Sequence, residues 1–148
     1  MKVEGLMTKE VLVVDEDTDV KRMVKLFHKH NITGAPVVGA DGKLKGVVSL
    51  SDLFRTEKAQ ETHEFYLNPS WSIVPRRETP ESKAKVADIM TNLVISVEAQ
   101  DDIERACDLM TMHAIHRLVV TRQGKVVGMI SSGDLVREFR DRLRVAKQ

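Results

Sequence analysis

The chain has little of several features that mark particular classes of protein. It has one cysteine, Cys107, so no disulfide framework can form within it. Aromatic residues make up 4% of its 148 residues, which disfavours a surface that stacks nucleic-acid bases. No apolar run approaches the roughly 20 residues that span a bilayer, and no apolar signal segment follows Met1. These absences predict a cytoplasmic protein with no membrane segment.

Charge of one sign is not in excess either. The 23 Lys and Arg residues nearly balance 22 Asp and Glu residues, so the net charge of +1 predicts neither a nucleic-acid nor a membrane partner. A hydrophobic share of 42% is ordinary for a globular domain. No phosphate-binding P-loop, G-x-G-x-x-G, H-E-x-x-H or nucleophile elbow occurs, so we expect no enzyme.

The main positive feature is an internal repeat. Residues 3–8 return as residues 86–91 at an offset of 83 (90 minus 7), and later matches follow at 82 (134 minus 52). The chain therefore divides into repeat 1 (3–55), a connector (56–85) and repeat 2 with a C-terminal helix (86–145). Two units this small are expected to share a core. A pseudo-twofold axis between them would provide a ligand cleft.

Each repeat predicts a strand, a helix, two strands and a second helix, which is an α+β fold. Val11–Val14 is predicted as a buried strand, and the apolar spacing from Val20 predicts a helix that ends near Asn31. The corresponding helix of repeat 2 is expected to end near Ala114. The remaining predicted strands are 35–38, 44–49, 118–120 and 126–131, with final helices from about Ser51 and Gly133.

The connector has no counterpart in the other repeat. It begins with the helix-like residues 57–61 and then contains three X-Pro steps, which favour an extended or looped backbone. It also holds Tyr66 and Trp71, which we expect to pack this arm on the body of the protein. A lid or a dimer contact is the alternative.

Three motifs recur in both repeats. They are Leu6-Met7-Thr8 with Ile89-Met90-Thr91, residues 32–38 with 115–120, and a closing motif, Gly46–Leu53 with Gly128–Leu135. In this order the chain resembles a tandem pair of cystathionine β-synthase (CBS) domains, also called a Bateman module. Two departures stand out: repeat 2 has Leu118-Val119 where the family usually has proline, and both closing motifs carry Ser where the family often has Thr.

The closing motif carries the strongest candidate chemistry. A strand ends at Ser49 or Ser131, and a helix begins soon afterwards, so unpaired N–H groups and a serine hydroxyl can hold phosphate. Asp52 and Asp134 can accept hydrogen bonds from the two ribose hydroxyls, the role that the resemblance implies for them. Ser132 is a further phosphate candidate. The alternative is local, because Ser-x-x-Asp is also a helix-capping signature.

The family that the chain resembles binds adenosine compounds, and the adenine base of such a ligand is expected to contact backbone groups and apolar neighbours beside this motif. The candidates are Thr8, Val11, Thr33, Gly34 and Ala35, with their counterparts Thr91, Val94, His116 and Leu118. Ordinary strand packing is the alternative for the apolar members.

Basic residues add further phosphate candidates. Arg117 offers a planar fork of donors, while Arg55 and Arg137 each follow a motif aspartate by three residues. The alternatives are a salt bridge for Arg117 and a solvated helix face for the other two. We expect no metal site, because His28 and His30 lie on different helix faces, and we expect Cys107 to be inert core.

The resemblance implies a stand-alone regulatory module that binds AMP, ADP or ATP, with S-adenosylmethionine or a dinucleotide as lesser options. It requires no cofactor, and it implies a flat homodimer through helix faces and a regulated protein partner. The alternatives are a scaffold of the same fold that binds no nucleotide, a nucleic-acid binder and an enzyme.

Overall fold

The computed structural model describes residues 1–54, 65–67, 73–75 and 84–147. The chain forms two compact units. The central unit is Leu12–Leu93, and the terminal unit combines Met1–Val11 with Val94–Gln148. Arg55, Trp71 and the helix-like start of the connector lie outside the described residues. No helix within the described residues is both long and apolar enough to cross a bilayer.

The central unit contains a three-stranded sheet with one helix between its first two strands. Its elements are β1 (Val14–Asp15), α1 (Val20–His30), β2 (Gly34–Val38), β3 (Leu44–Ser49) and a 3-10 helix (Leu50–Phe54). Further along are β4 (Phe65–Leu67), β5 (Ile73–Pro75) and the short helix α2 (Val86–Ile89). β1 pairs parallel with β2, and β3 is antiparallel to β2. Part of the connector is thus an antiparallel strand pair, β4 with β5, in which Tyr66 lies.

Helix α1 forms as the apolar spacing predicts. Val20, Met23, Val24 and Phe27 are all buried on one face, and the helix ends where Asn31 takes a left-handed φ of 52°. The predicted buried strand over Val11–Val14 is wrong. Val11 is the last residue of one unit and Leu12 the first of the other. Leu12 packs half-buried against the central core and Val13 is exposed, so Val14 alone of the four is fully buried and pairs with β2.

The terminal unit repeats this plan. It contains a 3-10 helix (Val3–Gly5), β6 (Ser96–Glu98), α3 (Ile103–His113), β7 (Arg117–Arg122), β8 (Lys125–Ser131) and α4 (Ser132–Val145). The sheet order is β6-β7-β8, with the same parallel and antiparallel pairings. The α+β fold and the repeated element order are therefore confirmed, as is the predicted end of α3 at Ala114.

One sequence prediction fails on α3. Cys107 is not a core residue: it is half-buried and lines a cavity of about 530 Å³ beside Met1, Leu135 and Phe139. The core side of α3 is formed instead by Ala106, Leu109 and Met110. The apolar residues of α3 thus cover two adjacent faces, one against the core and one along the cavity. Their spacing in the sequence does not distinguish the two faces, and only the packing of the helix does.

Each repeat gives its first residues to the unit that holds most of the other repeat. Thr8 exchanges backbone hydrogen bonds of 2.8 and 3.0 Å with Met129, and Thr91 does the same with Val47 at 2.9 and 3.0 Å. Glycine permits the close approach: a Cβ on Gly128 would lie 2.6 Å from the carbonyl oxygen of Thr8. The compact units and the sequence repeats are therefore different divisions of the chain.

Candidate functional site

The closing motif of the terminal unit forms a reciprocal cap at the start of α4. The Ser131 N–H and hydroxyl donate to Asp134 Oδ2 at 2.8 and 2.6 Å, and the Asp134 N–H donates back to Ser131 Oγ at 3.2 Å. The other carboxylate oxygen, Oδ1, is paired with the guanidinium of Arg137. Asp134 is only 8% exposed, so this small network holds a charged group in a largely covered position.

The network also controls the ionisation of Asp134. Burial raises the pKa of this carboxyl group, but hydrogen bonds from the Ser131 hydroxyl and N–H, together with the charge of Arg137, lower it by more. The pKa therefore lies below the usual 3.8, and the group is an anion at neutral pH. An anionic carboxylate accepts hydrogen bonds at both oxygens, which is what ribose recognition requires.

The central unit carries the same motif, and its serine has a second hydroxyl beside it. Ser49 donates to Asp52 Oδ2 through its N–H at 2.8 Å and through its hydroxyl at 3.2 Å. Ser49 Oγ also lies 2.7 Å from Ser51 Oγ, which the sequence analysis did not single out. Gly133 occupies the matching position of the terminal unit, so this hydroxyl pair is specific to the central unit. Asp52 is 5% exposed.

Both motif aspartates thus bond to the local serine, as the capping alternative predicts. Capping and ligand contact do not exclude each other, because a carboxylate has about four acceptor positions. The ribose role of Asp52 and Asp134 stays a prediction.

The basic candidates differ between the two units. In the terminal unit, Arg117 pairs with Ser131 across β7 and β8, and residues paired in this way place their side chains on one face of a sheet. Gly34 is the matching partner of Ser49 in the central unit. Arg117 is exposed and forms no ion pair within the described part of the chain, so the salt bridge that was its alternative role is absent there, and its phosphate role stays a prediction.

The backbone candidates for base recognition are already bonded within the protein. Both backbone groups of Thr8 and Thr91 are used by the bridges to β8 and β3. The carbonyl oxygens of Thr33 and His116 accept from the N–H groups of Leu50 and Ser132, both at 2.9 Å.

The remaining base candidates separate by burial. Ala35 and Leu118 lie in the cores, which is the strand-packing alternative. Gly34 and the side chain of His116 are exposed. Val11 and Val94 are half-buried and both belong to the terminal unit, so Val94 does not share a unit with Thr91.

The exchange of segments changes which candidates lie together. Thr8 belongs with Ser131 and Asp134 of repeat 2, while Thr91 belongs with Ser49 and Asp52 of repeat 1. The sequence analysis also missed the ion pair between Arg137 and Asp134, although an acidic and a basic residue three apart on a helix are a known signal for one. Across the described residues, no group of three His, Cys, Asp or Glu side chains is placed to hold a metal ion.

The model of one protein family matches both repeats. The CBS domain model matches residues 3–58 and 86–141. The chain belongs to the CBS domain family. Over 92% of its length it is 35% identical to protein MJ1426 of Methanocaldococcus jannaschii, and the match covers 89% of that protein.

Solved structures of CBS domain pairs are similar to this CBS module along most of its length. CBSX2, whose structure is a complex with AMP, gives a TM-score of 0.68 at 25% identity over 95% of this chain and 96% of its own. The CBS domain pair of protein MJ0100, bound to 5′-methylthioadenosine and S-adenosyl-L-methionine, gives 0.66 at 21% identity over 96% and 98%. The second likeness establishes the fold alone.

Proposed function

We propose that this CBS module is a regulatory sensor that binds an adenosine nucleotide of the AMP, ADP or ATP class. The observation that carries the proposal is the duplicated closing motif, in which a buried aspartate accepts two hydrogen bonds from the serine that ends the preceding strand. Asp52 and Asp134 would hold the ribose hydroxyls. The AMP complex of the similar CBSX2 supports a nucleotide ligand.

The other contacts follow from the residues around each aspartate. Phosphate would contact the serine hydroxyls and, in the terminal unit, the guanidinium groups of Arg117 and Arg137. The base would contact exposed residues near the backbone hydrogen bonds that tie Thr8 and Thr91 to their sheets. These residues are Thr8 and His116 in the terminal unit and Thr91 and Thr33 in the central unit.

The mechanism we propose is a population shift. The nucleotide would stabilise one conformation over another in proportion to its difference in affinity for the two, and a protein partner would recognise the favoured one. No step requires a cofactor or a catalytic residue. A cytoplasmic location remains a prediction from the sequence.

Thermal unfolding with added nucleotide tests the sensor proposal. A ligand selective for the native state at 100 times its Kd stabilises by about 2.7 kcal/mol, so AMP, ADP or ATP should raise the Tm by several degrees. The double variant Asp52→Asn/Asp134→Asn should lose the shift, whereas Asp141→Asn, an exposed aspartate on α4, should keep it. No shift with any of the three at millimolar concentration, or an equal shift in the double variant, would contradict the proposal.

A second candidate is a scaffold that associates without nucleotide. Two observations favour it: both oxygens of Asp134 are already engaged, and α4 exposes an apolar face formed by Val136, Phe139 and Leu143. These three residues share one side of a helix, and such exposed apolar surfaces mark interaction sites. A second copy of the chain is the partner we propose for this face, in either candidate function.

Sedimentation velocity tests the dimer. Phe139→Glu should convert a wild-type dimer into a monomer, because a charge would be buried without a partner in the interface. Asp141→Lys is the matched control, since the helical period places residue 141 on the opposite side of α4. A monomeric wild-type protein at tens of micromolar, or a dimer unaffected by Phe139→Glu, would contradict this assignment.

A further inference from the structure

The ion pair between Arg137 and Asp134 lies where the proposed nucleotide would have to bind. Asp134 Oδ2 already accepts two hydrogen bonds from Ser131, and Oδ1 is covered by the Arg137 guanidinium. With the pair formed, only 11% of the Asp134 side chain is exposed. Three of the roughly four acceptor positions of this carboxylate are then used, so two ribose hydroxyls cannot both bond to it until the guanidinium moves.

Arg137 is well placed to move. Its side chain is 63% exposed, so rotation into solvent meets little packing. The cost of the movement falls on Asp134, which would remain as a largely covered anion without its counter-charge. Ribose hydroxyls replace only part of that interaction, because they are neutral donors. A ligand that also supplies an anion for the displaced guanidinium offsets the rest.

We propose that Arg137 is a latch that makes the terminal unit selective for phosphorylated ribonucleosides. Resting on the function proposed above, the inference narrows the ligand class. The guanidinium of Arg137 would leave Asp134 for the ligand's phosphate, and the ribose hydroxyls would take its place on the carboxylate. Adenosine offers no anion for this exchange. S-adenosylmethionine has one carboxylate, but its sulfonium and ammonium cations give it a net positive charge, which the guanidinium groups repel.

A second guanidinium strengthens the phosphate side of this exchange. Arg117 is paired with Ser131 across the sheet and forms no ion pair within the described residues, so its charge is not neutralised by a neighbouring carboxylate. The central unit has Gly34 at the matching position. Selectivity for phosphate is therefore expected in the terminal unit.

Calorimetric titration of the full chain with adenosine, AMP and S-adenosylmethionine tests the latch. The wild type should bind AMP at least tenfold more tightly than the other two. Arg137→Gln removes the competing cation, so adenosine should bind more tightly to it than to the wild type while AMP binds more weakly. The preference for AMP over adenosine should then fall about tenfold, or about 1.4 kcal/mol.

Two further variants make the test specific. Arg140→Gln removes an exposed guanidinium three residues further along α4 than Arg137, where it pairs with Asp141, and should leave the preference unchanged. Repeating the series in an Asp52→Asn background restricts the measurement to the terminal unit.

The outcomes separate the latch from the sensor. If the wild type binds AMP but Arg137→Gln weakens AMP and adenosine equally, or changes neither, the latch is overturned and the sensor proposal stands. If the wild type binds none of the three ligands and neither ADP nor ATP, both are overturned.

Discussion

Replacing Gly128 by alanine tests the contact between the first residues of the chain and the sheet of the terminal unit. A Cβ at this position would lie 2.6 Å from the Thr8 carbonyl oxygen and 2.8 Å from the sulfur of Met7. The sulfur belongs to a flexible side chain that can rotate away. The carbonyl oxygen is backbone and is fixed by the two hydrogen bonds between Thr8 and Met129, so this contact cannot relax locally.

The expected loss of stability follows from two ways of relieving the clash. Holding Thr8 in place costs about 1–3 kcal/mol of overpacking. Moving Thr8 away sacrifices two hydrogen bonds at about 0.5–1.5 kcal/mol each, which is a similar sum. The substitution also stabilises the protein by about 0.4–1 kcal/mol, because alanine has fewer conformations than glycine in the unfolded chain. The net effect is a destabilisation of about 1–2 kcal/mol.

Urea unfolding followed by circular dichroism measures this difference. Gly5→Ala is the matched control, because its nearest heavy atom would be 4.0 Å from the new Cβ, and it should stay within about 0.5 kcal/mol of the wild type. Gly46→Ala should repeat the loss in the central unit, where the Thr91 carbonyl oxygen would lie 2.6 Å away. A Gly128→Ala protein as stable as Gly5→Ala would refute the argument that this glycine permits the exchange of segments.

Three further predictions concern the terminal unit. Val3 is fully buried in its core, so Val3→Ala should cost about 2 kcal/mol of unfolding free energy in the same urea assay, although it is the third residue of the sequence. Because the pKa of Asp134 is lower in the folded protein than in the unfolded chain, its ionised form stabilises the fold. This stabilisation is complete above the pKa of about 3.8 that the group has in the unfolded chain, and it is lost as the pH falls through the lower pKa of the folded protein. The difference in stability between the wild type and Asp134→Asn, measured from pH 6 to pH 2.5, should therefore be constant at the upper end and shrink with acid; a difference independent of pH would contradict this. Ser131→Ala should lower the Tm through loss of a cap worth about 1 kcal/mol, whereas Ser132→Ala should have a smaller effect, and equal effects would show that the cap does not stabilise α4.

The elements of each repeat could be predicted because they depend on nearby residues. The four apolar residues that α1 buries already define one helical face in the sequence, and Asn31 supplies the left-handed residue that ends it. The capping arrangement of Ser131 and Asp134 is also local, since the two residues are three apart. The prediction of a strand over Val11–Val14 was wrong because the chain passes from one unit to the other within this run, and apolar composition does not show such a passage.

The partnership of Thr8 could not be predicted in the same way. The two repeats are alike, so every local pattern that suits Thr8 beside Val47 suits it equally beside Met129. The choice is made by long-range packing, in which Val3 enters the core of the terminal unit and Gly128 admits the Thr8 backbone. The sequence by itself determined the repeated fold and the paired serine and aspartate of each closing motif. Only the tertiary structure decided which half of the chain completes each unit, because similar segments compete for the same place and differ only in distant contacts.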